Sequence, residues 1–196
     1  MFRMPPATQA LILTCVIVYL LPNLVGVPLG AFALWPVGSG AFMPWQPVTY
    51  AFLHGGLSHL VFNMFGLYMF GAELERVWGS KRFLVFYFVS VLMAAAAQLA
   101  IAAWTGNVYP TVGASGGLFG LLVGFAMLFP HRKIVPLIPP IPMPAWLFVV
   151  LYGLVELGLG VTGSMAGVAH FAHLGGLLGG WLVIRYWRGQ MPFGSR

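Results

Sequence analysis

Apolar runs and short polar or proline-rich breaks alternate along the chain at intervals that predict helices rather than strands. The first run, about 7–27, begins after Pro5 and Pro6. Further runs cover about 53–72, 83–104, 115–129, 145–161 and 168–187. The breaks differ in character. Residues 28–50 are uncharged and rich in glycine, proline and aromatics, including Trp35, Trp45 and Tyr50. Gly79-Ser80-Lys81-Arg82 is a short polar turn, and Pro130 to Pro144 is proline-rich. Five of the runs have the length of a bilayer span, and the shorter 115–129 run is apolar throughout. The pattern predicts an all-α fold, a polytopic bundle of six transmembrane helices, forming one domain over 1–196.

Composition agrees. The chain is 60% hydrophobic and 6% charged, against about 25% charged residues in soluble domains. Its formal charge of +6 does not imply nucleic acid, because the basic residues sit in breaks and tails. With six spans, Arg3, Arg76, Lys81, Arg82, Arg132, Lys133, Arg185, Arg188 and Arg196 all fall on one side. The connections 28–50, 105–114 and 162–167 carry no Lys or Arg. By the positive-inside rule both termini are cytoplasmic. Cys15 stands alone inside an apolar run, so no disulfide framework exists. The first run is long and is followed by further spans, so it reads as retained rather than as a signal peptide. The acids are Glu73, Glu75 and Glu156, with no aspartate anywhere, which excludes a Ser-His-Asp triad.

Against that background, Gly113-Ala114-Ser115-Gly116-Gly117 stands out. A serine among glycines at the mouth of a helix can be approached closely, and its N–H belongs to the unpaired first turn. Taken alone, the stretch also fits a packing motif, since Gly116, Gly120 and Gly124 follow the small-xxx-small rule. Depth favours chemistry. Ser115 lies roughly 21 Å along a helix from Phe129, short of the roughly 30 Å hydrocarbon thickness. His59 lies roughly 21 Å from Glu73, Asn63 roughly 15 Å from Glu73, and His173 roughly 18 Å from Arg185. Three spans thus bring Ser, His, His and Asn to one layer in the outer half of the bilayer. Unpaired polar groups there cost several kcal/mol each, which implies a shared hydrated site opening to the outer side.

Roles follow from residue chemistry. His59 and Asn63 share a helical face. His173 projects from the stripe of Gly176 and Gly180, so it can meet the matching stripe beside Ser115. A neutral His173 can act as general base to Ser115. His59, Asn63 and the Ser115 N–H can donate to an oxyanion. No third acid orients His173; Phe119, one turn below Ser115, can do so by stacking. His170 is turned away from the glycine stripe and is expected to meet water or a loop. Glu156, inside the fifth span, is expected to be protonated and hydrogen-bonded towards the interior, because charge at that depth is expensive. The nucleophile elbow of α/β-hydrolases fits the same five residues but needs a strand and sheet that this pattern lacks. The His54/His59 and His170/His173 pairs lack an accompanying acid and an HExxH, which disfavours metal or haem.

Three segments together resemble the rhomboid family of intramembrane serine proteases. Gly113-Ala114-Ser115-Gly116 is similar to its GxSG motif. His54 to Asn63 is similar to its HxxxxHxxxN segment, and Ala172 to Gly180 to its AHxxGxxxG segment. Glu75 to Gly79 is similar to an ExxxG turn. The resemblance implies a Ser115–His173 dyad, supported at the oxyanion by His59 and Asn63, with Gly113, His54 and Phe119 around it. It implies no cofactor, no metal and no nucleotide. Substrates would be single-span membrane proteins cut in or near the bilayer, at small residues in a locally unstable helix. The membrane would be the bacterial plasma (inner) membrane. The loop 28–50 would be half-inserted, and the fifth span would form the substrate gate. The chain departs from some relatives in having Gln46 after Trp45, where they have arginine, and Phe119 where they have tyrosine. The alternative is a non-proteolytic rhomboid-like protein that binds transmembrane clients.

Overall fold

A glutamate fixes the start of the first helix. Glu75 accepts hydrogen bonds from the Ala7 and Thr8 N–H groups at 2.9 and 2.7 Å, from the Thr8 hydroxyl at 2.7 Å and from the Ser80 hydroxyl at 2.6 Å. These satisfy orphan donors of helix α1, Pro6–Val25, and place a negative charge at its positive end. The computed structural model describes residues 3–136, 139–164 and 168–190. The position expected for Arg196, and part of the connection 162–167, lie outside the described residues.

After α1 the chain turns through Gly26 into a long connection carrying 3-10 turns and the short helix α2, Gln46–Thr49. Helix α3, Leu57–Gly66, runs through a π-helical turn, Leu67–Gly71, into α4, Ala72–Thr105. Helix α5 is Ser115–Leu128, α6 is Ala145–Thr162 and α7 is His170–Trp187. The chain is therefore mostly helical, as the apolar pattern predicts. It adds one element the pattern did not show. Strands β1, Lys133–Ile134, and β2, Met143–Pro144, form a small antiparallel ribbon within the proline-rich connection.

Two boundaries differ from expectation. Residues 53–56 are not helical, so the second span begins at Leu57. Nor does it end at 72. Helical structure runs on to Thr105, interrupted at Gly79, whose φ of 74° and ψ of 160° break the helix in one residue. The polar turn expected at Gly79 to Arg82 is thus a one-residue kink at Gly79, with Ser80 just beyond it donating to Glu75.

α4, α5 and α7 pack most closely. α5 buries ten of its residues, Gly116 to Ala126 with only Leu118 left partly out, as a helix apolar on all sides should. The outer surface is apolar too: Leu13, Ile17 and Leu24 on α1, Phe62 and Phe65 on α3, and Leu154 and Val161 on α6 are exposed. Exposed apolar area of that extent marks a membrane-facing surface. Leu57–Thr105 and Ala145–Thr162 are long and apolar enough to cross a membrane, whereas Pro6–Pro22 and Ser115–Leu128 are shorter apolar helices.

The two ends of the bundle differ. At one, Glu73 pairs with Arg76 and Arg132 at 3.4 and 3.2 Å, Arg188 donates to the Met127 carbonyl at 3.0 Å, and Arg82 lies over Trp187. At the other, Leu34 bridges Thr111, and the Gly113 N–H donates to the Tyr50 carbonyl at 3.0 Å. Those contacts tie the first connection to the loop that presents Ser115. Gln46 holds the first connection together: its Oε1 accepts from the Trp35 N–H at 3.1 Å, and its Nε2 donates to the Ala31 and Ala41 carbonyls at 3.1 and 2.9 Å.

Glu75→Ala removes four bonds to a charged acceptor, each worth about 1.5–3 kcal/mol in isolation but not additive. The expected result is a large fall in thermal midpoint in detergent, about 3 kcal/mol or more, with Ser80→Ala clearly milder. A Glu75→Ala midpoint equal to the parent's contradicts the capping role.

Candidate active site

The glycines of α5 and α7 bring two backbones into contact. A Cβ at Gly176 would fall on the Gly116 carbonyl oxygen, and one at Gly180 would lie 2.8 Å from the Gly120 oxygen. On its other side α5 meets α4, where Ala94 faces Gly116 and Ser90 faces Gly120. No larger residue fits these positions, so the small-residue stripes serve helix packing whatever else they do.

At the open end of that seam the Ser115 hydroxyl lies 2.8 Å from His173 Nε2. Ser115 is half-buried at the first position of α5, and His173 is buried in the first turn of α7. Phe119 stacks on the His173 ring, centroids 4.3 Å apart and planes within 8°. Tyr152 of α6 stacks on the far face of Phe119 at 5.4 Å, and Phe148 on Tyr152 at 5.3 Å.

Gly113 precedes this pair with a φ of 131°, and a Cβ there would lie 2.8 Å from the His59 ring. The glycine thus lets His59 reach the serine loop. His54 packs edge-on against His59 at 5.1 Å. Asn63 is buried, and its Nδ2 donates to the His59 carbonyl at 2.9 Å. An amide nitrogen carries two N–H groups, so one remains for another acceptor. The structure therefore links Ser115, His173, Phe119, Gly113, His59 and His54 through a chain of contacts, with Asn63 a helical turn below His59.

Two expectations are corrected. Glu156 does orient His173: its Oε2 lies 2.9 Å from His173 Nδ1. His170 does not face water, being buried with Nδ1 2.7 Å from the same Glu156 oxygen and Nε2 3.2 Å from the Ser164 carbonyl. An acid thus accompanies the His170/His173 pair after all. The sequence carries the depth of this acid but not its rotation. Glu156 lies roughly 9 Å below Thr162 and His173 roughly 5 Å below His170, a similar depth on consecutive antiparallel helices.

Among the described residues, Glu156, His170 and His173 offer three ligand atoms within 4.8 Å of one another, enough to be tested as a metal site. The spacing fits hydrogen bonds better. Tetrahedral ligands about 2.0–2.1 Å from a zinc ion stand about 3.3 Å apart, whereas both Nδ1 atoms approach one oxygen at 2.7 and 2.9 Å.

Comparison with known proteins came to the same family as the motifs. A family model described as Rhomboid domain matches residues 41–189. Rhomboid protease GluP of Bacillus subtilis (strain 168) is 31% identical over 140 residues, covering 71% of this chain and 25% of that protein. Rhomboid protein 1, mitochondrial, of Saccharomyces cerevisiae is 35% identical over 152 residues, covering 68% of this chain and 40% of that protein. Rhomboid protease GlpG of Serratia proteamaculans (strain 568) is 29% identical over 191 residues, covering 93% of this chain and 62% of that protein. The chain thus spans less than two thirds of the length of these relatives.

Gly176→Ala should force α5 and α7 apart, with a loss of about 1–3 kcal/mol or more from overpacking. Gly158→Ala on α6, where a Cβ meets nothing within 4 Å, should be neutral or slightly stabilising because alanine is the better helix former. Thermal unfolding of the two variants side by side checks the pair; equal midpoints rule out the close approach.

Proposed function

This chain belongs to the rhomboid family, and we propose on that premise that it is an intramembrane serine protease with Ser115 as nucleophile and His173 as general base. The 2.8 Å contact between Ser115 Oγ and His173 Nε2 is the observation that carries the reading. The substrate is a membrane protein with a single span, cut within or near the bilayer. Six helical segments cross the membrane in this reading. The end bearing Arg76, Arg82, Arg132 and Arg188 faces the cytoplasm, as do both termini, and the Ser115 opening faces the outer side. The clustering of those arginines at one end of the bundle supports that orientation. The membrane is the bacterial plasma membrane.

The chemistry runs in two halves. Ser115 Oγ attacks the scissile carbonyl carbon while its proton passes to His173 Nε2. The carbonyl oxygen becomes an oxyanion, held by the Ser115 N–H at the start of α5 and by His59 and Asn63. As the C–N bond breaks, His173 returns the proton to the leaving amine, which leaves an acyl ester on Ser115. Water then attacks the ester with His173 taking a proton; as the ester C–O bond breaks, His173 returns that proton to Ser115 Oγ, which restores the serine and releases the new carboxyl terminus.

α6 is the gate through which substrate enters. Only Ala145 and Glu156 of this helix are buried, so its displacement exposes little core. It lines the site through Tyr152 and Phe148, which continue the Phe119 stack.

Ser115→Ala is expected to abolish both cleavage of a purified single-span substrate and labelling by a fluorophosphonate, with the thermal midpoint kept. Asn63→Ala should lower kcat by about 10²-fold, since one oxyanion donor is typically worth about 10²–10³, and should still label. A folded Ser115→Ala protein that cleaves at the parent rate overturns the assignment. Folded parent protein that neither cleaves nor labels favours a client-binding role instead.

A further inference from the structure

The hydrogen-bond partners of Glu156 leave few ways to place the protons. The Ser164 carbonyl can only accept, so His170 Nε2, 3.2 Å away, carries a proton and donates it. Were His170 a neutral ring with that proton alone, its Nδ1 would be a bare lone pair facing Glu156 Oε2 at 2.7 Å. Two lone pairs do not approach so closely, so a proton lies between them. Glu156 and His170 together hold it, as carboxylate with imidazolium or as carboxylic acid with imidazole; either way the pair carries no net charge.

The second contact of Glu156 Oε2, to His173 Nδ1 at 2.9 Å, then has one solution. With the shared proton directed at His170, the oxygen has only a lone pair left for His173. His173 must donate from Nδ1, and a neutral imidazole protonated there bears its lone pair on Nε2. That lone pair faces the Ser115 hydroxyl at 2.8 Å. The stack on Phe119 cannot do this, because a ring face fixes the plane of an imidazole but does not distinguish its two nitrogens.

We infer that Glu156 is the positioning acid of the His173 base: it selects the tautomer that accepts the Ser115 proton, and His170 keeps the acid paired inside the bundle. The inference rests on the reading of Ser115 and His173 as nucleophile and base, and replaces the bare serine–histidine pair with a three-residue relay braced by a second histidine. During attack the Ser115 proton moves to His173 Nε2, and the Nδ1 proton stays where it is, bonded to Glu156. The imidazolium so formed faces an acceptor rather than apolar surroundings, which favours the charged state. Leu and Gln substitutions differ in what they leave. Leucine removes the acceptor. Glutamine keeps one oxygen for one of the two N–H groups but cannot balance the charge of a doubly protonated His170.

Two measurements test this on the full chain in detergent micelles. In the first, ¹⁵N NMR of histidine-labelled Ser115→Ala protein reads the His173 tautomer at neutral pH; a proton on Nδ1 is expected, and a proton on Nε2 overturns the proposal. Because this readout needs no activity, it holds even if the protease reading fails. In the second, kcat and KM for the single-span substrate and the fluorophosphonate labelling rate are compared among parent, Glu156→Gln and Glu156→Leu. Loss of a base's orienting acid should lower kcat and labelling by about 10²-fold or more in Glu156→Leu, less in Glu156→Gln, with KM within about threefold. Parent-like kcat and labelling in both variants overturn the proposal while leaving the Ser115 assignment intact. If the variants do not fold, the tautomer measurement decides alone. Loss of parent activity in a chelator, restored by zinc, makes the cluster a metal site and also overturns the relay.

Discussion

Everything at the Ser115 opening depends on how closely α5 and α7 approach. An imidazole on one helix meets a hydroxyl at 2.8 Å on the next where the two backbones have come close. Gly116 against Gly176 and Gly120 against Gly180 remove the side chains that would prevent it. In a lipid environment apolar burial gives little drive for helices to associate, so dispersion between close backbones does much of the holding. Ala94 and Ser90 extend the same economy of volume to α4.

Polar groups hold the parts that glycine packing does not reach. Glu75 binds the start of α1, Gln46 binds the first connection to itself, and Glu156 binds α6 to α7. Each is buried, and each has several partners, as the cost of an unpaired polar group in low dielectric requires. Gln46 closes the first connection with neutral amide bonds. Glu156 differs from the other two in reaching the histidine that meets Ser115.

That difference gives α6 two relationships to the site. It has an exposed apolar face and only two buried residues. Yet it carries the acid that faces His173 and the rings that continue the Phe119 stack. If α6 is the gate proposed above, a displacement that admits a chain would also stretch the Glu156 bonds to α7, and its return would restore them. On those proposals, access and base orientation are set by the same helix.

The sequence by itself determined the helical class, the order of the apolar segments and the layer in which Ser115, His59 and His173 lie. These follow from composition and from a fixed rise per residue, which are local properties. Rotation along α7 also distinguished His173 from His170, because the glycine stripe lies on the same helix. Tertiary structure decided the rest. The polar turn expected at Gly79 to Arg82 does fall where the helix breaks, but its reduction to a one-residue kink at Gly79, with helix resuming at once, is set by the fold. The ribbon at Lys133–Ile134 and Met143–Pro144 pairs segments across prolines with no alternating pattern to announce it. The partnership of Glu156 with both histidines depends on how far α6 is rotated about its own axis against α7. No spacing within either helix encodes that angle; it is set where the two surfaces dock.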